Sequence, residues 1–144
     1  MASSNYETDF YAWANEQASL LRAGKLSIAD IENIAEEIES MGRGEKRELV
    51  NRLTVLMLHL LKWKHQPRMR GASWEASIKI QRLRLIDHLN DNPSLKSKPA
   101  EAVVAAYRVA VVEAAAETGL AESDFPAACP WAFDQMMMGD FWPD

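Results

Sequence analysis

The amino-acid sequence predicts an all-α fold, and three of its features support this prediction. Apolar residues recur along most of the chain at the three- and four-residue spacing of a helix, and no run shows sustained strand alternation. Glycine or proline separates these segments, at Gly24, Gly42 with Gly44, Pro67, Pro93 and Gly119. Alanine, the strongest helix former, is frequent in the last long segment. We therefore expect one helical domain over residues 1–144, with about five antiparallel-leaning helices plus a short C-terminal helix.

The first two predicted helices each have one apolar face. The first covers about residues 9–23, and Gly24 can end it in the left-handed conformation. The second has Ser27 as its candidate N-cap and carries acidic residues around its apolar side. Gly42 and Gly44 then predict the end of this second helix.

The third predicted helix is the long central one, over about residues 45–66. It is apolar on nearly all sides between Leu53 and Leu61, a composition that is typical of a buried helix. Pro67 disfavours helical geometry in the residue before it and therefore predicts the end of this helix.

Further helical segments complete the predicted fold. A fourth helix covers about residues 72–90, and a fifth starts between Ser94 and Pro99 and ends before Gly119. A short C-terminal helix covers about residues 130–138, with a proline in its first turn. Because the connections are short, helices two to four are expected to form an antiparallel up-down set.

Composition indicates the compartment. Cys129, the only cysteine, cannot form an internal disulfide, which favours a reducing environment. The N-terminal residues MASSNYETDF lack the charged and apolar regions of a secretory signal. The longest apolar run, residues 55–61, is interrupted by a histidine and is far shorter than the ~20 residues that a membrane-spanning helix needs. We therefore expect a cytoplasmic protein without membrane contact.

The net charge of −5 is unevenly distributed along the sequence. Residues 43–84 contain eleven basic and three acidic residues, whereas the rest of the chain contains five basic and eighteen acidic residues. Two interpretations stay open. The basic segment forms a surface for an anionic partner, or it pairs with the acidic helices of the same chain.

Aromatic rings are interleaved with positive charge between Lys62 and Arg84. Basic side chains neutralise phosphates and aromatic rings stack on unpaired bases, so nucleic acid is one candidate partner. The candidate binding residues are Trp63, Gln66, Arg68, Arg70, Trp74 and Gln81. No helix-turn-helix, RRM or KH motif accompanies these residues. The alternative interpretation is that the two tryptophans pack consecutive helices together around Pro67.

A small enzyme is the alternative from a different class of function. His59 is the candidate general base, with Glu36 and Arg82 as candidate catalytic partners on neighbouring helices. The competing interpretation of His59 is a buried or half-buried histidine that makes a hydrogen bond. No Walker loop, Gly-x-Gly-x-x-Gly or Gly-x-Ser-x-Gly motif occurs in the sequence. His59 and His65 diverge by roughly 240° around a helix, so we expect neither a metal site nor a cofactor.

Several short motifs, taken in order, resemble a bacterial family of uncharacterised proteins, domain of unknown function twenty-nine. The motifs are EEIESMGR (residues 36–43), HLLKWKHQP (59–67), SW (73–74), QR (81–82), PSL (93–95), ETGL (117–120), FP (125–126) and CPW (129–131). The resemblance extends from about Tyr6 to Pro143. It implies an all-α fold and a bacterial origin, and it brings no activity, substrate or catalytic residue.

These observations together favour a non-enzymatic, cytoplasmic binding or regulatory module of unknown activity. An anionic partner, a protein partner and a homo-oligomer are all compatible with the sequence. A homo-oligomer would use the apolar residues near the end of the chain, whose methionines suit adaptable contacts. These residues are Trp131, Phe133, Met136, Met137, Phe141 and Trp142.

Overall fold

The computed structural model describes residues 5–97 and 99–144 of the chain, and these residues form an all-α structure without strands, which confirms the predicted fold class. The α-helices are α1 (Phe10–Arg22), α2 (Ile31–His65), α3 (Ala72–Asp91), α4 (Pro99–Thr118) and α5 (Phe133–Met137). Short 3₁₀-helices occur at Pro67–Met69, Pro93–Ser97 and Glu122–Asp124. The prediction that a secretory signal is absent rests partly on residues 1–4, which lie outside the described residues.

The chain divides into two compact units, with the boundary between Gly44 and Glu45. The N-terminal unit contains α1 and the first part of α2, and the C-terminal unit contains the rest of α2 together with α3, α4 and α5. The expectation of a single domain over residues 1–144 stays a prediction. Among the described helices, none is both long enough and apolar enough to cross a membrane.

The predicted break between the second and third helices is wrong, because α2 is one helix from Ile31 to His65. A glycine inside a helix costs only about 1 kcal/mol relative to alanine and keeps its backbone N–H. Neither Gly42 nor Gly44 adopts a positive φ, unlike Gly24 and Gly119. Residues 5–97 and 99–144 therefore contain four long helices and the short α5 in place of the five long helices expected. The predicted second and third helices cannot be antiparallel neighbours, because they are parts of one helix.

In the N-terminal unit, partly buried hydrogen bonds connect α1 to the residue that precedes α2. Trp13 Nε1 donates to Asp30 Oδ2 at 2.9 Å, and the Asp30 backbone N–H donates to Gln17 Oε1 at 2.7 Å. Hydrogen bonds from Asn33 and then from Trp13 lower the pKa of the Asp30 carboxyl. These contacts fix Asp30 directly before α2, so the helix begins at Ile31 and the predicted start at Ser27 is wrong.

In the C-terminal unit, the second half of α2 is the centre of the core. Leu53, Leu56, Met57, Leu60 and Leu61 are each 0% exposed, which confirms the prediction of a buried central helix. The helices α3 and α4 pack against this half of α2 through buried side chains. These are Ile78 and Leu85 of α3, and Ala102, Ala106, Ala110 and Ala114 of α4.

Polar contacts at both ends of α2 give the directions of its neighbours within the C-terminal unit. His88 Nε2 of α3 lies 2.8 Å from the carbonyl oxygen of Glu45, whereas Lys62 lies 4.8 Å from the ring of Trp74. The helix α3 is therefore antiparallel to this part of α2. Lys62 also pairs with Glu117 of α4 at 2.8 Å, at the same end of α2, so α4 runs parallel to it.

The short C-terminal helix is α5, which begins at Phe133 and ends at Met137. It is shorter than the predicted helix over residues 130–138, and its N-cap position is Ala132, which has an extended backbone. Pro130 thus lies outside the helix, in the loop that leads to it.

Substitution of Gly42 by alanine tests the continuity of α2. A Cβ at Gly42 meets no heavy atom within 4 Å among the described residues outside the local helix. We expect Gly42→Ala to raise the free energy of unfolding by about 1 kcal/mol, because alanine has the higher helix propensity. Urea unfolding followed by far-UV circular dichroism measures this change.

Gly119→Ala is the matched control, since its Cβ also meets open space but its φ is +78°. This variant should lose about 1–2 kcal/mol, because left-handed geometry is unfavourable for alanine. A similar loss in Gly42→Ala would contradict a continuous helix at that position.

Candidate functional site

Arg82, a candidate catalytic residue, is buried and binds residues 136–143, which we call the C-terminal segment. It is 4% exposed, and its Nε and Nη2 donate to the carbonyl oxygens of Met136 and Phe141 at 2.7 and 2.6 Å. Its guanidinium also lies 5.4 Å from the ring of Trp142. Burial lowers the pKa of Arg82, and the charge of Asp140 opposes this effect. The geometry gives Arg82 a packing role among backbone carbonyls.

Two predicted binding residues, Trp63 and Arg70, meet at the same C-terminal segment. The ring of Trp63 lies 4.7 Å from that of Trp142, and the guanidinium of Arg70 lies 5.2 Å from Trp63. Arg70 also donates to the carbonyl oxygens of Trp63 and Pro143. Trp142 and Pro143 thus join residues from α2, α3 and the intervening loop, a convergence that the sequence pattern did not indicate.

His59 makes a hydrogen bond within its own helix, where its Nδ1 lies 2.9 Å from the carbonyl oxygen of Val55. It is half-buried and lines none of the four cavities considered below. Glu36, the third catalytic candidate, lies in the N-terminal unit and pairs with Arg43 at 3.0 Å. His59, Glu36 and Arg82 therefore each contact different residues, and no described contact joins one of the three to another.

The remaining predicted binding residues have separate surroundings. Trp74 is half-buried beneath Lys62, and Gln66 precedes the first 3₁₀-helix. The side-chain oxygen of Gln81 is buried without a hydrogen-bond partner among the described residues. Arg68 is exposed at the corner between α2 and α3. No described hydrogen bond or ring contact joins Trp74, Gln66, Gln81 and Arg68 to one another, and a binding role for them stays a prediction.

Much of the basic segment is paired within the C-terminal unit. Lys62 pairs with Glu117 at 2.8 Å and Lys46 pairs with Glu101 at 3.6 Å, so α2 and α4 are joined at both ends. Lys79 pairs with Glu75 one turn away on α3. Of the two interpretations of the charge asymmetry, internal pairing therefore accounts for several of the cations.

The apolar C-terminal residues that would serve a homo-oligomer pack on the core of their own unit, and the oligomer itself stays a prediction. Trp131 and Met136 are 7% and 0% exposed, and the others are partly buried against the core. Tyr107 donates to the carbonyl oxygen of Pro126 at 2.7 Å, and burial raises its pKa to about 12. Burial also raises the pKa of Cys129, which disfavours a nucleophilic thiolate there.

Cavities in the C-terminal unit lie at the ends and along the surface of the bundle. One of about 240 Å³ lies between the start of α4, the end of α3 and α5, with Lys96 and Asp134 among its lining residues. An open groove of about 960 Å³ follows α4 and the third 3₁₀-helix, and another of about 430 Å³ lies between α4 and α5. None of these three is lined by a predicted catalytic residue.

The N-terminal unit contains a more apolar groove, of about 430 Å³, between α1 and the first turns of α2. Its lining residues recur at helical spacing on both helices. They are Phe10, Trp13, Ala14, Gln17, Ala18 and Leu21 of α1, and Ile34, Glu37, Ile38 and Met41 of α2. We call this surface the N-terminal groove. Glu37, which accepts a hydrogen bond from Tyr6 and raises the pKa of that phenol to about 12, is its one charged lining residue.

The N-terminal unit buries few of its own side chains. Among its described residues, only Trp13 and Gln17 are buried, whereas Ile38 and Met41 are 62% and 71% exposed. Large exposed apolar residues are normal when scattered, but a contiguous apolar surface commonly marks an interaction site. The N-terminal groove is therefore the strongest candidate functional site of the chain.

No group of three or more histidine, cysteine, aspartate or glutamate side chains among the described residues has the geometry to hold a metal ion. The groove itself offers one carboxylate, from Glu37, and otherwise apolar carbon and the amide of Gln17. Apolar surfaces of this kind bury hydrophobic side chains, and chemical catalysis would require reactive groups that they do not supply.

Fold and surfaces together define an all-α protein whose candidate site is an apolar groove between two helices. The chain belongs to the family described as "Domain of unknown function DUF29", whose model matches residues 5–142. This confirms the resemblance that the short motifs indicated. No curated protein and no solved structure matches the chain.

The sequence pattern had placed the groove residues on the apolar sides of two helices without showing that they would stay exposed. What distinguishes the groove residues from core residues is the small size of the N-terminal unit, which has few other side chains to cover them. A unit of about 40 residues seldom forms a sufficient core without an additional stabilising contact. The unit that ends at Gly44 is of this size.

Replacement of Arg82 tests its role in holding the C-terminal segment. Arg82→Met removes two charged hydrogen bonds and leaves buried carbonyl groups unpaired, so we expect a loss of about 3 kcal/mol in the free energy of unfolding. Arg84→Met, on the exposed face of the same helix, should change it by less than about 0.5 kcal/mol. Equal effects of the two substitutions on urea unfolding would contradict this role.

His65 gives the C-terminal unit a stability that depends on pH. Its ring packs on Phe125 at 4.7 Å with a buried, unpartnered Nε2. Burial, and then the charge of Lys64, lower the pKa of His65 below its ordinary 6.5, and Asp124 opposes them. The folded state thus resists a proton that the unfolded chain accepts, and stability should decrease as pH falls below about 6.5.

The variant His65→Phe keeps an aromatic ring against Phe125 and should lose this part of the pH dependence. Urea unfolding between pH 8 and pH 5 measures it, and the values at pH 8, where the histidine is neutral, correct for altered packing. An unchanged pH profile in the variant would assign the dependence to other groups.

Proposed function

We propose that this protein is a non-enzymatic binding module that takes an α-helix of a partner protein into the N-terminal groove. The observation that carries this proposal is the apolar N-terminal groove between α1 and α2, which has a volume of about 430 Å³. Helix-in-groove recognition uses apolar side chains at positions i, i+3, i+4 and i+7 of the bound helix. The groove supplies matching rows on two helices, so a third helix would complete a small three-helix core.

The size of the groove supports a helix of about three turns. Eleven residues separate Phe10 from Leu21 along α1, which corresponds to roughly 17 Å. A short amphipathic helix of this length is marginal by itself in water and gains its stability from the surface on which it packs. The bound segment would therefore fold as it binds, which is typical of regulatory interactions.

A catalytic function around His59 has less support. Its ring bonds to Val55 of its own helix, and the guanidinium of Arg82 is engaged by the carbonyl groups of Met136 and Phe141. A general base needs a substrate position within hydrogen-bond distance. His59 lines none of the four cavities described above, whereas the N-terminal groove is lined by apolar side chains from two helices.

We further propose that the protein acts in the bacterial cytoplasm. The resemblance carried by the short sequence motifs implies a bacterial origin. Cys129, the only cysteine, is compatible with a reducing compartment. A protein partner in the same compartment would then present the helix.

Selection of helical peptides on the immobilised protein tests the proposed function. From a library of helices of about four turns, we expect enrichment of sequences with apolar residues at i, i+3, i+4 and i+7. The enriched peptides should bind the Ile38→Asp variant at least tenfold more weakly, because a buried charge opposes apolar contact.

Ile28→Asp is the matched control, since Ile28 is 63% exposed and Ile38 is 62% exposed, and Ile28 lies outside the groove lining. The Ile28→Asp variant should bind the enriched peptides with the same affinity as the unmodified protein. Absence of enrichment, or equal loss of binding in both variants, would reject the proposed function.

A further inference from the structure

We propose that the helix accepted by the N-terminal groove is basic on its flanks, an inference that rests on the proposed function and adds the chemistry of the partner. The first support is the charge of the unit that forms the groove. Residues 1–44 contain three basic and eight acidic residues, a net charge of −5, whereas residues 45–144 contain thirteen of each. All of the net charge of the sequence therefore belongs to the N-terminal unit.

The position of the carboxylates on α2 supports the same conclusion. At 100° per residue, Ile34, Ile38 and Met41 share a sector of roughly 60°. Glu37 borders this sector on one side, about 60° from Ile34, and it lines the groove. On the other side, Glu39 lies about 100° from Ile38. Carboxylates thus lie on both sides of the apolar row of α2, Glu37 directly beside it and Glu39 beyond the small residues Ala35 and Gly42.

Glu32 and Glu39 are available to an incoming partner. Both are exposed, and neither has an ion-pair or hydrogen-bond partner among the described residues. Ala35 and Gly42, which have small side chains or none, separate them from the apolar row. The methylene stem of a lysine or arginine can lie across such small residues while its charged group reaches a carboxylate.

The cations of the unit are placed where they do not neutralise this border. Arg43 is engaged by Glu36 at 3.0 Å. Arg22 and Lys25 lie at the end of α1 and in the loop after it, and neither lines the groove. A basic helix would therefore meet unpaired negative charge along α2.

Other occupants of the groove are disfavoured by the same charges. A second copy of this chain would bring another unit of net charge −5 against the first. Anionic lipid surfaces and nucleic acid would be repelled over about a Debye length, roughly 10 Å at 0.1 M salt. A basic amphipathic helix satisfies both the apolar surface and its charged border.

Two synthetic peptides test this inference. Both carry leucine at positions i, i+3, i+4 and i+7 over about four turns, and their flanking positions are all lysine in one and all glutamate in the other. By fluorescence anisotropy at low salt, the lysine peptide should bind the full-length protein at least tenfold more tightly than the glutamate peptide. Its affinity should fall as the salt concentration rises, because exposed charges are screened.

Charge reversal on α2 supplies the second arm. The double variant Glu32→Lys with Glu39→Lys should weaken binding of the lysine peptide by about tenfold, since two attractions are replaced by two repulsions. Glu122→Lys with Asp144→Lys is the control, because it makes the same change in net charge at exposed positions of the C-terminal unit, at the end of the bundle opposite Glu45. This control should leave the affinity within about twofold.

The outcomes separate the inference from the proposed function. Equal, salt-independent binding of the two peptides would reject the basic flank and keep helix binding. Binding of neither peptide would reject both. Binding to vesicles of anionic lipid, or a dimer that Ile38→Asp converts to a monomer, would reject a basic helix as the occupant.

Discussion

The C-terminal unit depends on burial of the leucine-rich half of α2. Its leucines and Met57 between Leu53 and Leu61 are buried in one core with residues of α3, α4 and the C-terminal segment. The apolar area that they remove from water is the dominant favourable contribution to folding. The alanines of α4 bring that helix close to α2. Ion pairs such as Lys62 with Glu117 then join the helices at the edge of this apolar contact.

The two parts of α2 have different surroundings although they belong to one helix. After Glu45 the helix is enclosed, and before Gly44 its apolar row is exposed and bordered by carboxylates. A helix whose apolar row is exposed can bury it only against another surface. For this reason the exposed first turns of α2 carry the functional hypothesis, and the buried remainder has a structural role.

Sequence periodicity predicted the fold class and several boundaries well, because helical spacing and terminal glycines act locally. The first and fourth predicted helices agree with α1 and α3 to within about two residues, and α4 begins at the last residue of the interval predicted for the start of the fifth helix. The errors arise from contacts distant in sequence, which local patterns do not contain. The bonds of Asp30 to Trp13 and Gln17 move the start of α2. An apolar row looks the same in sequence whether it is covered or exposed, so the N-terminal groove could not be distinguished from core.

The contacts of Arg82 with the carbonyl groups of Met136 and Phe141 have a consequence for biosynthesis. Until residues 136–142 reach it, the guanidinium of Arg82 lacks both of its carbonyl partners and the ring of Trp142 beside it. The C-terminal unit therefore cannot complete its folding on the ribosome until those residues have left the exit tunnel. During that interval the aromatic face of Trp63 would be open to solvent and to chaperones.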